Sequence, residues 1–192
     1  MSKPPSAPRG CPNHVCPAEQ AGWLHSPLRR LISNPARLLG GLVTPGDTAA
    51  DLGCGPGYYT LPLAELVGAT GQVIAVDIQP GMLERLHVRA EAAGLSSRIQ
   101  PKLATATGLG VNGPVDFALA FWMLHEVPDR RAFLGEVHEM LRPRGRLLLV
   151  EPWGHVSRSQ FAAALDLAKE AGLGLVSRPR VGFSRAALLE RV

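Results

Sequence analysis

At 192 residues, with 46% apolar and 19% charged content, the chain is long enough for one well-buried domain, too short for two comfortable ones, and ordinary in its globular make-up. No apolar run approaches the roughly 18 to 20 residues that span a bilayer, and the Pro-rich start Met1–Gly10 lacks the apolar core of a signal peptide. The expectation is a cytoplasmic protein with a disordered tail over 1–10 and no membrane contact.

The net charge of +4 rests on 20 basic residues, 17 of them Arg. They concentrate only at Arg29-Arg30, Arg130-Arg131 and Arg142/Arg144/Arg146. Nucleic-acid binding would want a longer basic run interleaved with aromatics, so no nucleic-acid partner is expected. Three cysteines, an odd number without an export signal, argue for reduced thiols. Cys11-Pro-Asn-His-Val-Cys16 brackets His14, but C-x4-C is not a standard zinc spacing and no second ligand pair follows. A local turn with free thiols is the plain reading, and no metal site is expected.

Ser26-Pro27 and Asn34-Pro35 each pair an N-cap with proline at the first helical position. Leu28, Leu31 and Ile32 form one stripe; Leu38, Leu39, Leu42 and Val43 form the next. Two short helices over 11–45 therefore precede the core as a lid across the end of a sheet, closed by the turn Thr44–Asp47. A single domain over 46–192 follows.

Strands and helices then alternate. Thr48–Leu52 is the first strand and Tyr58–Val67 its helix, with Pro62 tolerable near the first turn. Gln72–Asp77 is an apolar run ending in an acid, as suits a buried parallel strand. Met82–Ala93 is a helix with Leu83, Leu86, Ala90 and Ala93 at helical spacing and Gly94 past its end. Ile99–Ala104 is a weaker third strand, and the Gly/Thr-rich link 105–114 leaves little room for a helix. Val115–Phe121 is the fourth strand. Asp129 caps a helix striped by Phe133, Leu134, Val137 and Leu141. Pro143-Arg-Gly145 turns into Arg146–Val150, the fifth strand, and Ser157–Gln160 is a capping box opening the helix Phe161–Ala171. Leu173–Arg178 reads as a strand. Val181–Val192 is rich in Ala and Leu, which favours helix, although Pro179-Arg180 fits a hairpin. Repeated βα units make a doubly wound α/β domain.

In such a sheet, ligands meet the carboxyl ends of the strands. Those ends carry Gly53–Gly57, Asp77, Ala104-Thr105, Phe121-Trp122 and Glu151–His155. Asp77 lies 20 residues beyond Gly57, the offset of a carboxylate that binds vicinal ribose hydroxyls. A dinucleotide turn is G-x-G-x-x-G. Here Gly53, Gly55 and Gly57 follow Asp51, and Tyr58 stands where the third glycine belongs. An acid beside the turn disfavours a pyrophosphate and suits a cationic or zwitterionic ligand, so NAD fits poorly and a sulfonium with an amino-acid tail fits well.

With these residues in view, the chain resembles a class I S-adenosylmethionine-dependent methyltransferase of the type 11-like family. Asp51-Leu-Gly-Cys-Gly-Pro-Gly57 matches the glycine motif, Val76-Asp77-Ile78 the ribose-binding acid, and Pro80-Gly-Met-Leu83 the next helix start. Phe117–Asp129 is similar to the strand-four motif, and Leu141–Gly145 with Val150-Glu151 to the strand-five motif.

The resemblance, over residues 45 to about 180, implies a seven-stranded Rossmann-like sheet. It makes the final segment an antiparallel strand against its composition. It implies that S-adenosylmethionine contacts Asp51, Gly53 and Gly55 with its methionine tail, Asp77 with its ribose, and Ile78 and Met82 with its adenine, with Phe121 bordering the sulfonium. Cys54, Gly57 and Tyr58 belong to the same cradle, Cys54 as a small buried filler. At Ala104-Thr105-Ala106 the family often has an acid; Thr105 and Ala106 offer only weaker contacts.

Methyl transfer from a sulfonium is an in-line displacement in which positioning does most of the work, up to ~7–11 kcal/mol in favourable systems. A base matters only for a nucleophile carrying a high-pKa proton. His125 and Glu126 are the candidate catalytic residues, and Trp23, Trp122, Glu151 and His155 the candidate substrate contacts. A small-molecule acceptor, met by a monomer or homodimer, is the expectation. Two alternatives stay open: a thiol or metalloid methyltransferase using Cys11 and Cys16, and a non-catalytic S-adenosylmethionine- or haem-binding regulator.

Overall fold

The computed structural model describes residues 34–105 and 108–192. Within them run α1 (Pro35–Leu39), β1 (Thr48–Leu52), α2 (Thr60–Leu66), β2 (Gln72–Asp77), α3 (Pro80–Ala92), β3 (Ile99–Leu103), β4 (Val115–Phe121), α4 (Arg130–Met140), β5 (Leu141–Pro152), α5 (Arg158–Glu170), β6 (Leu173–Ser177) and β7 (Ser184–Arg191). The tail over 1–10, the helix expected from Ser26-Pro27, and Cys11, His14, Cys16 and Trp23 lie outside the described residues, as does Ala106.

The strands form one sheet in the order β3-β2-β1-β4-β5-β7-β6. β3, β2, β1, β4 and β5 run parallel, and β7 is antiparallel to both β5 and β6. The chain leaves β1 toward β2 on one side and reaches β4 on the other. The crevice at the carboxyl ends of β1 and β4 is therefore the switch point where ligands bind in doubly wound sheets.

Both faces are covered. Phe133, Leu134 and Val137 of α4 and Phe161, Ala164 and Ala168 of α5 pack on Ala118, Ala120, Leu147 and Leu149. On the other face Leu39, Val43, Leu63, Ala64 and Val67 pack on Phe117, Leu119, Leu148 and Val150. Leu86 of α3 meets Ala75 and Cys54. The central stretches Ala49-Ala50, Val73–Val76, Phe117–Phe121 and Leu147–Val150 are apolar because helices cover both faces there.

Three local differences from the sequence reading have physical causes. The helix after the glycine turn begins at Thr60 rather than Tyr58, since Pro56–Tyr59 are still turning. β5 begins at Leu141 and absorbs the expected turn at Pro143-Arg-Gly145 as a bulge. Val115 pairs Leu141 and Phe117 pairs Arg146, so Arg142–Gly145 stand opposite Asp116 alone. Arg144 takes φ 64° there, and Arg142 reaches Asp116 at 2.6 Å. α1 stops at Leu39, so Leu42 and Val43 reach the core from a turn instead of a helix. Arg146 Nη2 donates to the Leu42 carbonyl at 3.1 Å, which holds this part of the expected lid near the amino end of β5.

Candidate cofactor and acceptor site

β1 ends at the glycine turn, and the turn is tied to the neighbouring strand: Gly53 N and Cys54 N both donate to Val76 O, at 2.8 and 2.9 Å. Gly53, Gly55 and Gly57 have φ of 72°, 52° and 87°, conformations that L side chains resist. Their surroundings differ. A Cβ on Gly53 would fall 2.9 Å from Met123 Cβ, and one on Gly57 would collide with Leu86 Cδ1. A Cβ on Gly55 would meet nothing within 4 Å. Gly53 and Gly57 are thus required by packing, whereas Gly55 borders open space.

Two carboxylates flank that opening. Asp51 is buried and accepts from Thr60 Oγ1 at 2.6 Å. Asp77 is buried and accepts from Gly55 N and Gln79 N, each at 2.8 Å. Burial raises the Asp77 carboxyl above the usual range, against the backbone N–H groups of Gln79, Gly55 and Ile78, which lower it. Cys54 is held as a neutral thiol: burial, then the charges of Asp51 and Asp77, push it far above the thiol range. It has no nucleophilic form near neutral pH. Beyond Asp77, Ile78 is exposed and Met82 is buried in the first turn of α3. Thr105 N donates to Gly108 O at 2.9 Å beside the carboxyl end of β3.

At the carboxyl end of β4 an aromatic run packs together at the edge of the core. Ring centroids lie 5.0 Å apart for Tyr58–Tyr59, 4.4 Å for Tyr59–Phe121 and 5.1 Å for Phe121–Trp122. Trp122 has φ 58°, unusual for a bulky residue. It is held by its N–H to Val150 O (2.8 Å) and by Nε1 donating to Ser184 Oγ (3.0 Å). Trp153 and Phe183, 52% and 66% exposed, meet edge to face at 5.8 Å nearby. Met123 and Phe183 were not among the residues singled out from sequence. The adjacency of β1 and β4 is what aims Met123 at Gly53, and that pairing is readable only once strand order is known.

After Trp122 the 3-10 turn Leu124–Glu126 brings His125 to the end of β5. Its Nδ1 lies 2.6 Å from Glu151 Oε2, and Leu124 N donates to Glu151 Oε1 at 2.9 Å. Glu151 is 2% exposed with both oxygens engaged, so it faces inward to His125 rather than outward to a substrate. Glu151 is the carboxylate hydrogen-bonded to the His125 ring, and Glu126 acts on it through its charge. His155, exposed, places Nδ1 3.4 Å from His125 Nε2. Burial pulls the His125 pKa down, and Arg130 does too. The hydrogen bond and charge of Glu151, with the charge of Glu126, outweigh both, and the net shift is upward. Among the described residues no cluster of His, Cys, Asp and Glu is arranged to hold a metal ion, and no helix is long and apolar enough to cross a membrane.

Strand order, the antiparallel β7 and a glycine turn between two buried acids define a Rossmann-like methyltransferase fold. The solved structure of a SAM-dependent methyltransferase from Aquifex aeolicus superposes with a TM-score of 0.83 at 22% identity, covering 92% of this chain and 99% of that one. Residues 49–145 match the family model described as a methyltransferase domain, and the chain belongs to that family. Its cofactor is S-adenosylmethionine. The demethylmenaquinone methyltransferase of Lactobacillus johnsonii is 34% identical over 110 residues, 57% of this chain and 45% of that protein. The 2-phytyl-1,4-naphtoquinone methyltransferase of a Nostoc species is 34% identical over 112 residues, 56% of this chain and 47% of its own length. The chain spans about half or less of the curated relatives it matches.

Proposed function

We propose that this chain transfers a methyl group from S-adenosylmethionine to a small ring-bearing acceptor at the carboxyl ends of β4 and β5. The observation that carries the reading is the open face of Gly55 between the buried carboxylates Asp51 and Asp77. The cofactor supplies an electrophilic methyl group on a cationic sulfonium. A cradle of two carboxylates and a side-chain-free turn fits such a cation, where a pyrophosphate would be repelled.

In this reading Asp51, Gly53 and Gly55 hold the methionine end, and Cys54, Gly57 and Tyr58 shape the turn beneath it. Each Asp77 oxygen already accepts one backbone N–H and has a lone pair left for a ribose hydroxyl. Ile78, Met82 and Thr105 bound the adenine, while Phe121 and Met123 border the sulfonium. Trp122 faces the acceptor. Orientation is the chain's main contribution, since in-line displacement needs the nucleophile, carbon and sulfur aligned. Two relatives are named for quinone acceptors, and the aromatic groups Trp122, Trp153 and Phe183 at this end of the sheet suit a planar ring.

Titration calorimetry tests the reading. S-adenosylmethionine and S-adenosylhomocysteine should both bind, and Asp77→Ala should remove the binding of each. Tight binding of NAD in their place would overturn it.

A further inference from the structure

The Glu151–His125–His155 chain is unused by cofactor binding. It borders a cavity of about 140 Å³ whose walls include Leu124, Arg130, Val156 and Gln160 as well as the two histidines. That volume is close to the ~150 Å³ in which a buried cavity holds benzene. Two of its wall residues, Leu124 and His125, follow directly in the chain on Met123, whose side chain lies against Gly53. We propose that His125 takes the proton of an acceptor carrying an acidic hydroxyl on a six-membered ring, with Glu151 as its positioning residue and His155 as the proton's way out. The proposal rests on the methyl-transfer reading and deepens it by naming the acceptor class.

A carboxylate only accepts hydrogen bonds, so Glu151 fixes the proton of neutral His125 on Nδ1 and leaves Nε2 as the basic atom. Nε2 points to His155 Nδ1, which marks the place an acceptor hydroxyl takes when His155 swings aside. Leu124 N, donating to the other Glu151 oxygen, stops the carboxylate from rotating away. The charged and titratable groups around His125 are Glu151 from β5, Glu126 on its own turn, Arg130 from α4 and His155 from the turn after β5. Arg130 Nη2 donates to the His125 carbonyl at 3.2 Å, which places a guanidinium on the cavity wall to steady a developing phenolate.

The step balances. As the hydroxyl oxygen bonds the methyl carbon, the methyl–sulfur bond breaks with its electron pair left on sulfur, and the hydroxyl proton passes to His125 Nε2. The imidazolium is held by Glu151 until His155 and solvent take the proton. Proton transfer is most effective when acid and base are matched. A phenol, with a pKa of about 10 like the tyrosine side chain, suits this base far better than an alkanol.

The test uses the full chain with methyl-labelled S-adenosylmethionine and hydroquinone, catechol or p-cresol, with benzyl alcohol and aniline as contrasts. Label should enter the phenols, with kcat rising through one ionisation as pH increases. His125→Gln should lower kcat by about 100-fold or more, the scale of general-base catalysis, with S-adenosylhomocysteine affinity unchanged. Glu151→Gln should move the ionisation to lower pH and reduce kcat with little change in KM, and it carries the test if His125→Gln fails to fold. Wild-type kcat and pH profile in either variant would overturn the proposal. So would a wild-type chain that binds S-adenosylhomocysteine yet labels none of the phenols, or labels benzyl alcohol and aniline equally. Failure of the wild type to bind S-adenosylhomocysteine would instead remove the methyl-transfer reading itself, and this proposal with it.

Discussion

Gly55 and Gly57 have nearly the same chemistry and opposite reasons for being glycine, so one methyl group at each should separate fold from binding. Both have positive φ, and alanine there costs ~1–2 kcal/mol of left-handed strain. At Gly57 the new Cβ also collides with Leu86 Cδ1, and Leu86 is a buried core residue. Overpacking of that kind adds ~1–3 kcal/mol. Gly57→Ala should therefore lose ~2–5 kcal/mol, a large share of the ~5–15 kcal/mol that stabilises a typical domain. At Gly55 nothing lies within 4 Å of the added carbon, so Gly55→Ala should lose only the strain. On the proposed function its methyl group would project into the space the cofactor takes, and S-adenosylhomocysteine should bind at least tenfold more weakly, ~1.4 kcal/mol or more. Urea denaturation without ligand gives the first pair of numbers, and calorimetry at matched folded fraction gives the second. The reasoning fails if Gly55→Ala binds like wild type, or if it is destabilised as much as Gly57→Ala.

Thr60→Val keeps the side-chain shape and removes the hydroxyl that donates to buried Asp51. It should lose ~1.5–3 kcal/mol, the range for hydrogen bonds to charged groups, while Thr60→Ser stays near wild type in the same denaturation assay. His125 should make stability depend on pH. Its folded pKa is raised above the unfolded value near 6.5, so its contribution is fully present below about pH 6.5 and is lost as pH rises through the folded pKa. Urea midpoints measured from pH 5.5 to 8.5 should fall in that window for wild type and stay flatter in Glu151→Gln; parallel curves would refute the assignment.

The central strands were legible because their environment is simple. β1, β2 and β4 have the bounds read from sequence, each lying between two neighbours with apolar cover on both faces. β3 was weak in sequence because it is an edge: Pro101 and the exposed Gln100 are tolerated where one side has no partner strand. β7 is the reverse case. Ala186–Leu189 are buried without alternation, so period-two patterning vanishes and the Ala/Leu composition reads as helix. Only the resemblance placed it as a strand, and pairing with β5 and β6 overrides propensity there. Of the proposed site, the glycine turn and Asp77 stand out in the sequence as local motifs. The hydrogen bond of His125 to Glu151 does not, because it depends on β4 and β5 lying side by side.

The five residues Phe121–His125 show why that adjacency matters to function. Trp122 holds a left-handed backbone that a bulky residue adopts at a cost of about 1–3 kcal/mol, and the surroundings hold it there from two strands: β5 through Val150 O and β7 through Ser184 Oγ. The reversal it makes separates the directions of its neighbours. Phe121 stays in the aromatic run with Tyr59, Met123 turns to Gly53, and Leu124 and His125 turn to Glu151. One strained residue thus aims one flank at the cofactor turn and the other at the cavity where an acceptor proton would be taken. Relaxing it should disturb both at once: Trp122→Gly keeps the positive φ without strain but removes the bond to Ser184 and the contact to Phe121. The variant should weaken S-adenosylhomocysteine binding and lower the His125 pKa together, read by calorimetry and by histidine NMR titration. A loss of one with the other intact would mean that the two flanks are positioned separately.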